Sequence, residues 1–396
     1  MSLPDPTALP EPSREAAAIS ARLLAIIREE IDRQGGWIPF ARFMDLALHA
    51  PGLGYYSAGA AKLGSDPRDG SDFITAPELT PLFARALARP VANALRDTKG
   101  AIIELGGGSG KLAADLLLEL GSMGALPLRY EMLEVSADLR ERQAATLARR
   151  APHLQDRVRW LDTLPEIIDG VILGNEVLDA LPVDCVVRTG DDWLERGIAV
   201  DDRGALIYRD RPALAMLAAA IRRAIPDAGA LAIGYTTEVH RAASALVGTL
   251  VARMSDRSTM LMIDYGFPAS EYFHSQRSGG TLMAHYRHRS TPDVLARVGL
   301  QDVTAHVDFS VIARAARDAG GFVAGYTSLA SFLLDCGILE LIDAAPDDVR
   351  QWAPQAAALQ KVLSEAEMGE LFKVIAITRG QRFVRGFESS DRRASL

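Results

Sequence analysis

Apolar positions along this chain follow two different periods, and the change between them sketches the fold. Near the start, Leu23, Leu24, Ile27 and Ile31 recur at helical spacing, and residues 15–97 read as mostly helical. From residue 98 the pattern becomes short apolar runs that alternate with helix-like stretches. The run from Ala101 closes at Glu104 and leads through a glycine turn into a helix. Further strands are expected at Leu128 to Val135, Arg157 to Leu161, Gly170 to Leu173 and Met260 to Ile263. Strands alternating with helices predict an α/β fold with a mostly parallel sheet. Residues from Ser310 to about Leu363 read as a helical segment interrupting that sheet, before LFKVIAIT returns as a final strand. A long loop rich in glycine, serine and aspartate, Pro51 to Pro77, breaks the N-terminal helices, and loops of that length are commonly functional.

The chemistry concentrates where the first strand meets its helix, in AIIELGGGSGKLAADLLLEL, residues 101–120. Gly106, Gly107, Gly108 and Gly110 remove Cβ atoms from the turn, so a ligand can lie on the backbone and on the helix N-terminus beyond it. A dinucleotide fingerprint is weakened, because the third small position is Lys111, although the spacing from Gly108 reaches Ala113. A phosphate-binding P-loop fails, since Lys111 is not followed by Ser or Thr. Glu104 ahead of the glycines disfavours an anion and suits the cationic amino-acid end of S-adenosylmethionine. Glu134, closing the second strand, is placed to accept hydrogen bonds from a ribose. The fourth strand ends in Gly174, Asn175 and Glu176, at the edge where open α/β sheets build sites.

Composition narrows the class without naming a reaction. The 396 residues, 48% hydrophobic and 24% charged, are enough for a large core and an accessory lobe. A net charge of −8 argues against nucleic acid and for a cationic partner. No apolar run reaches the length of a membrane span. The proline-rich opening lacks the pattern of a signal or transit peptide, and residues 1–14 are expected to be a disordered tail. Two distant cysteines, Cys185 and Cys336, fit buried thiols in a reducing, cytoplasmic compartment. His274, His285 and His288 lack metal-ligand spacing, so no metal is expected.

Nine ordered stretches carry a family resemblance over about residues 35–380. They are GYYS from Gly54, SDFITAPEL from Ser71, IELGGGSGKL from Ile103, LEVSADLR from Leu133, GNEVLDALPVD from Gly174, IDYG from Ile263, GGTLMAHYRHR from Gly279, DVTAHVDF from Asp302 and MGELFKVIAITRG from Met368. On these the chain resembles the MidA family of class I S-adenosylmethionine-dependent methyltransferases, which includes the mitochondrial complex I assembly factor, a protein arginine methyltransferase. Two departures stand out. Gly107 replaces the usual proline of the loop, and Val177 and Leu178 replace the aromatic pair that follows the Asn-Glu motif.

The resemblance implies a Rossmann-like class I methyltransferase sheet, an N-terminal helical lid region and a helical insertion before the last strand. The expected segments are a 1–14 tail, a 15–97 helical and lid region, a 98–309 core, a 310–365 insertion and a 366–396 return. The expected cofactor set is Asp72, Phe73, Thr75, Glu104, Gly106, Gly107, Gly108, Gly110, Glu134, Val135 and Asn175, with SDFITAPE as a lid over S-adenosylmethionine. The candidate catalytic set is Glu176, Asn175, Asp264, His306 and Asp308. Asp264 reads either as a carboxylate facing the crevice or as a turn residue, and Asp179 as a helix cap. His306 and Asp308 read as a proton relay or a hydrogen-bonded strut, and Tyr55 and Tyr56 as partners of a cation or as core. The implied substrate is a protein arginine, by resemblance on a respiratory-complex-like subunit; a homodimer is left open. The rival readings are a non-catalytic S-adenosylmethionine-binding assembly factor and an NAD(P)-dependent oxidoreductase.

Overall fold

The computed structural model describes residues 9–58, 75–96, 98, 100–190, 192–342, 349–380 and 382–396. Most of the expected tail and the lid residues Asp72 and Phe73 lie outside the described residues. The chain divides into two compact units, residues 1–74, 180–241 and 274–305 in one, and 75–179, 242–273 and 306–396 in the other. The expected 98–309 core is therefore shared between them. The physical reason is long-range pairing: the strand Asp192–Val200 takes Ile38–Pro39 as an antiparallel neighbour, and a periodic pattern does not say which sheet a strand will join.

The second unit carries the expected parallel sheet. Its strands are β1 (Ala101–Leu105), β2 (Arg129–Leu133), β3 (Val158–Leu161), β4 (Gly170–Asn175), β5 (Thr259–Phe267), β6 (Val307–Asp308), β7 (Phe322–Ser328) and β8 (Phe372–Thr378). The order is β3-β2-β1-β4-β5-β8-β7, with the two-residue β6 alongside the end of β5. Neighbours from β3 to β5 run parallel, while β8 is antiparallel to both β5 and β7. β1 and β4 are buried along most of their length, as strands covered on both faces must be. Helices such as Pro81–Leu95, Lys111–Ser122 and Leu329–Asp335 pack their apolar residues into the same core as Ile102, Val171 and Ile263. From β1 the chain moves outward to β2 and β3, then crosses back to β4 on the other side. That reversal opens a crevice beyond the carboxyl ends of β1 and β4.

The expected helical insertion at 310–365 needs correction, because β7 lies inside it. Helices Phe309–Asp318, Leu329–Asp335 and Val349–Leu363 surround that strand. Its seven residues are too short to show a period, and Gly325 hides an apolar position. A Cβ there would meet the Phe387 ring at 2.3 Å, so the glycine is a packing choice rather than a turn signal.

The first unit is held by the helix Arg14–Arg33, whose Ser13 cap accepts from the Ala16 amide, and whose Leu23, Ile27 and Ile31 are buried. Around it lie the antiparallel strands Asp184–Thr189, Asp192–Val200, Leu206–Pro212 and Thr236–Val239. Tyr55 is fully buried in this core, and the Tyr56 hydroxyl donates to Asp302 at 2.9 Å. Core packing thus accounts for both tyrosines.

Candidate active site

At the crevice the glycine loop follows β1 without a break. Gly106, Gly108 and Gly110 have φ of 61°, 52° and 80°, the left-handed region that residues with side chains avoid. Their reasons differ. A Cβ on Gly106 would lie 3.4 Å from the Val177 side chain, in the crevice, whereas a Cβ on Gly110 would lie 2.9 Å from the Gln143 backbone. Gly110 therefore serves close helix packing, as does Gly107, whose Cβ would lie 3.2 Å from Gln143 Nε2 and from Met132 Sδ, and ligand access rests on Gly106 and Gly108. The short helix Ala76–Leu79, at the end of the expected lid, meets this loop: Ser109 hydrogen-bonds Glu78, and Lys111 donates to the Pro77 carbonyl and pairs with Asp115 at 3.0 Å. Thr75 caps that helix by backbone geometry, without a side-chain bond to it.

Two buried carboxylates line the cofactor end. Glu104 is 3% exposed and accepts from the Tyr130 hydroxyl at 2.9 Å. Burial pushes its pKa up to about 7 against the pull of that hydrogen bond, and the charge of Glu134 adds to the rise. Glu134, 6% exposed at the end of β2, accepts from the Ser136 amide at 2.9 Å and from Gln143 Nε2 at 3.1 Å. Its pKa is raised by burial, with those hydrogen bonds opposing the rise. Beside it Val135 is 78% exposed, a bare apolar surface suited to the flat face of an adenine.

Gln143 is the residue that the sequence did not reveal. It is fully buried on the helix Ala137–Arg150, donates from one Nε2 to both the Gly108 carbonyl and Glu134, each at 3.1 Å, and accepts from Trp160 Nε1 at 2.7 Å. One amide thereby couples the loop to the ribose carboxylate. A glutamine within an otherwise polar helix carries no signal of this; only its spacing from Gly110 across two helices does. Arg140 on the same helix donates to the Glu134 and Leu161 carbonyls, fixing the ends of β2 and β3.

The transfer end is built by the turn after β4. Asn175 donates to Glu176 Oε1 at 3.0 Å, while its own Oδ1 is buried with no hydrogen-bond partner in the structure. Glu176 has φ of 55°, an uncommon conformation for a residue with a side chain. Its amide donates to the Ile263 carbonyl at 2.9 Å. Asp264, 1% exposed within β5, accepts on Oδ2 from the amides of Val177, Leu178 and Asp179 at 3.1, 2.8 and 3.3 Å, and on Oδ1 from the Tyr265 amide at 2.9 Å. Its pKa is raised, first by burial and then by the charges of Asp179 and Glu176. The helix that Asp179 was expected to cap does not form; a turn leads from it directly into the strand Asp184–Thr189.

His306 and Asp308 lie at the start of the helix Phe309–Asp318. Asp308 is fully buried and caps the helix Phe309–Asp318 through the Ser310 and Val311 amides at 2.9 and 3.2 Å; burial pushes its pKa up to about 7. His306 packs between Tyr265 and Phe267, at ring distances of 5.2 and 5.3 Å. Asp308 Oδ1, which takes both amides, thus serves as the cap of that helix.

The glycine cradle, the paired carboxylates, the exposed Val135 and the unpartnered Asn175 oxygen together fit S-adenosylmethionine. The comparisons with known proteins decide the matter: a family model of S-adenosyl-L-methionine-dependent methyltransferases matches residues 84–327. The chain belongs to that family. A Burkholderia thailandensis protein whose crystal structure holds S-adenosyl-homocysteine is 50% identical, with a TM-score of 0.94 over 98% of this chain and 100% of that one. The human protein named mitochondrial protein arginine methyltransferase NDUFAF7 is 26% identical over 396 residues, covering 91% of this chain and 84% of its own length. Its Caenorhabditis elegans homologue is 29% identical over 312 residues, 72% of this chain and 70% of that protein. This methyltransferase uses S-adenosylmethionine, and neither a non-catalytic S-adenosylmethionine-binding assembly role nor an NAD(P)-dependent oxidoreductase is favoured. Gly106, Gly108, Glu134, Val135 and Asn175 lie at or just beyond the carboxyl ends of β1, β2 and β4, the edge where such a cofactor is expected.

Proposed function

We propose that this methyltransferase acts on arginine side chains of a protein, with Glu176 as the acceptor-binding carboxylate. The carrying observation is the left-handed Glu176 beside Asn175 at the carboxyl end of β4, a costly backbone state at the crevice. S-adenosylmethionine supplies an already activated methyl group, so the protein chiefly has to place an acceptor in line at about 3 Å and exclude water. A guanidinium, whose pKa exceeds about 12, is a poor nucleophile while protonated. A carboxylate hydrogen-bonded to it localises the positive charge on the far nitrogens and orients the remaining one. Glu176 supplies that carboxylate, and Asn175 steadies it from one side. The human and Caenorhabditis elegans relatives are named arginine methyltransferases, which supports the same acceptor.

The test is Glu176→Gln, assayed for methyl incorporation from labelled S-adenosylmethionine into extract protein of cells lacking this chain. Turnover should fall by roughly a hundredfold, the scale of losing one electrostatic stabiliser, with S-adenosyl-homocysteine affinity unchanged. Full turnover would remove Glu176 from the reaction. Mass spectrometry of the labelled protein identifies the acceptor residue, and methyl-lysine would overturn the arginine reading. A respiratory-complex-like subunit is the substrate class that the resemblance suggests, and the same labelling names it. The two buried free cysteines suit a reducing compartment such as the cytoplasm; fractionation of tagged protein checks this against the mitochondrial names of the relatives.

A further inference from the structure

We propose that Asp264 is a positioning residue whose carboxylate, by gathering the amides of Val177, Leu178 and Asp179, holds Glu176 in its left-handed conformation and so aims it at the acceptor. This rests on the reading of Glu176 as the transfer carboxylate and adds how that carboxylate is set. The φ and ψ of a residue are fixed once its two flanking peptide planes are fixed. On one side the Glu176 amide donates to the Ile263 carbonyl at 2.9 Å; on the other the Val177 amide donates to Asp264 Oδ2 at 3.1 Å. Adjacent residues of one strand thus grip both planes. β5 is itself locked by its register to β4 and β8, with Ile263 opposite Asn175 and Asp264 opposite Lys373.

Three successive amides converging on one oxygen form a concave anion nest, and here the anion is a side chain of the protein. Both oxygens of Asp264 accept from backbone, since Oδ1 takes the Tyr265 amide at 2.9 Å. At 1% exposure, Asp264 is thus turned to backbone and screened from solvent. It acts through Glu176 instead. The cost of burying a carboxylate near Asp179 and Glu176 is offset by charge-assisted bonds to the amides. What the cost secures is a side-chain direction that an ordinary turn would not give.

The experiment measures Asp264→Asn, Glu176→Gln and the double variant for methyl incorporation into extract protein and for S-adenosyl-homocysteine affinity by calorimetry. Asparagine sets an NH2 group against either the nest or the Tyr265 amide. Incorporation by Asp264→Asn should fall about a hundredfold, the scale of a roughly 1 Å misplacement, with ligand affinity within about threefold of wild type. In the Glu176→Gln background the same change should cost no more than about twofold, because a group acting through Glu176 has nothing left to aim. If the full loss recurs in that background, Asp264 acts independently and the proposal fails while the role of Glu176 stands. If Glu176→Gln keeps full activity, the underlying reading fails instead. Should Asp264→Asn not fold, Glu176→Gly decides: a glycine relieves the left-handed strain, so the melting temperature should rise by a few degrees while incorporation is lost. A lower melting temperature would mean that the turn stores no strain, and would overturn the proposal.

Discussion

At the cofactor end a side-chain amide, Gln143, ties a loop carbonyl to a buried carboxylate; at the transfer end a carboxylate, Asp264, ties down three backbone amides. The first arrangement holds Glu134 in place through both of its oxygens. The second turns both oxygens of Asp264 to backbone amides, beside the Glu176 proposed to meet the acceptor. The two ends therefore divide labour in opposite ways. Where a ligand of fixed shape must bind, the protein exposes a smooth backbone and a pre-satisfied acid. Where an atom must be aimed, it stores strain in the backbone and holds it with a buried charge.

Four measurements can break or sharpen this contrast at its cofactor end. The largest effect is expected from Gly106→Val and Gly108→Val, which place β-branched side chains at φ of 61° and 52° on the ligand face of the loop; calorimetry should find no S-adenosylmethionine binding. Wild-type affinity in either variant would move the cofactor off this loop. Next comes the pH dependence of stability. Because the folded pKa of Glu104 is pushed up to about 7 from an ordinary 4.5, the native state holds its proton more tightly than the unfolded chain. Stability from this group is complete below about pH 4.5 and is lost as pH rises to about 7, a change of roughly 3 kcal/mol at most. Denaturant melts of ligand-free protein should show that slope in wild type and not in Glu104→Gln. An equal slope in both would assign it to another group.

Smaller effects should separate Glu134 from its support. Glu134→Ala removes charge-assisted hydrogen bonds to ribose and should weaken cofactor binding by about 1–3 kcal/mol, with turnover at saturating cofactor less affected. Gln143→Leu keeps the volume but leaves Gly108, Glu134 and Trp160 without their shared partner. Its cofactor affinity should fall by about 1 kcal/mol, again with turnover at saturation preserved. If Gln143→Leu lowered saturated turnover instead, the coupling across the glycine loop would reach the transfer end and the division of labour would be wrong.

Much of this was readable in advance, and the exceptions share a cause. Four apolar runs and a glycine cluster were enough to place β1 to β4 within a residue or two of their observed limits, because buried parallel strands must be apolar and a ligand-bearing turn must lack Cβ atoms. Glu134 and Glu176 were legible because strand ends are positions that sequence order fixes. β7 was not, since its seven residues sit between two helices and Gly325 is explained only by the Phe387 ring against it. The assignment of residues 180–241 and 274–305 to a separate unit was equally hidden, as it depends on pairings such as Asp192–Val200 with Ile38–Pro39.

The sequence by itself determined the order of strands and helices, the glycine cradle and the acidic residues at strand ends, because each follows from the chemistry of neighbours along the chain. Tertiary structure alone decided what each acid does. Asp264, Asp308 and Glu134 look alike in sequence, each a carboxylate at a strand boundary or within an apolar run. One gathers the amides of a turn 85 to 87 residues away, one caps the helix that follows it, and one is held by a glutamine from the next helix. A carboxylate takes its role from the donors that surround it in space, and those donors are brought there by the packing of the sheet rather than by their place in the chain.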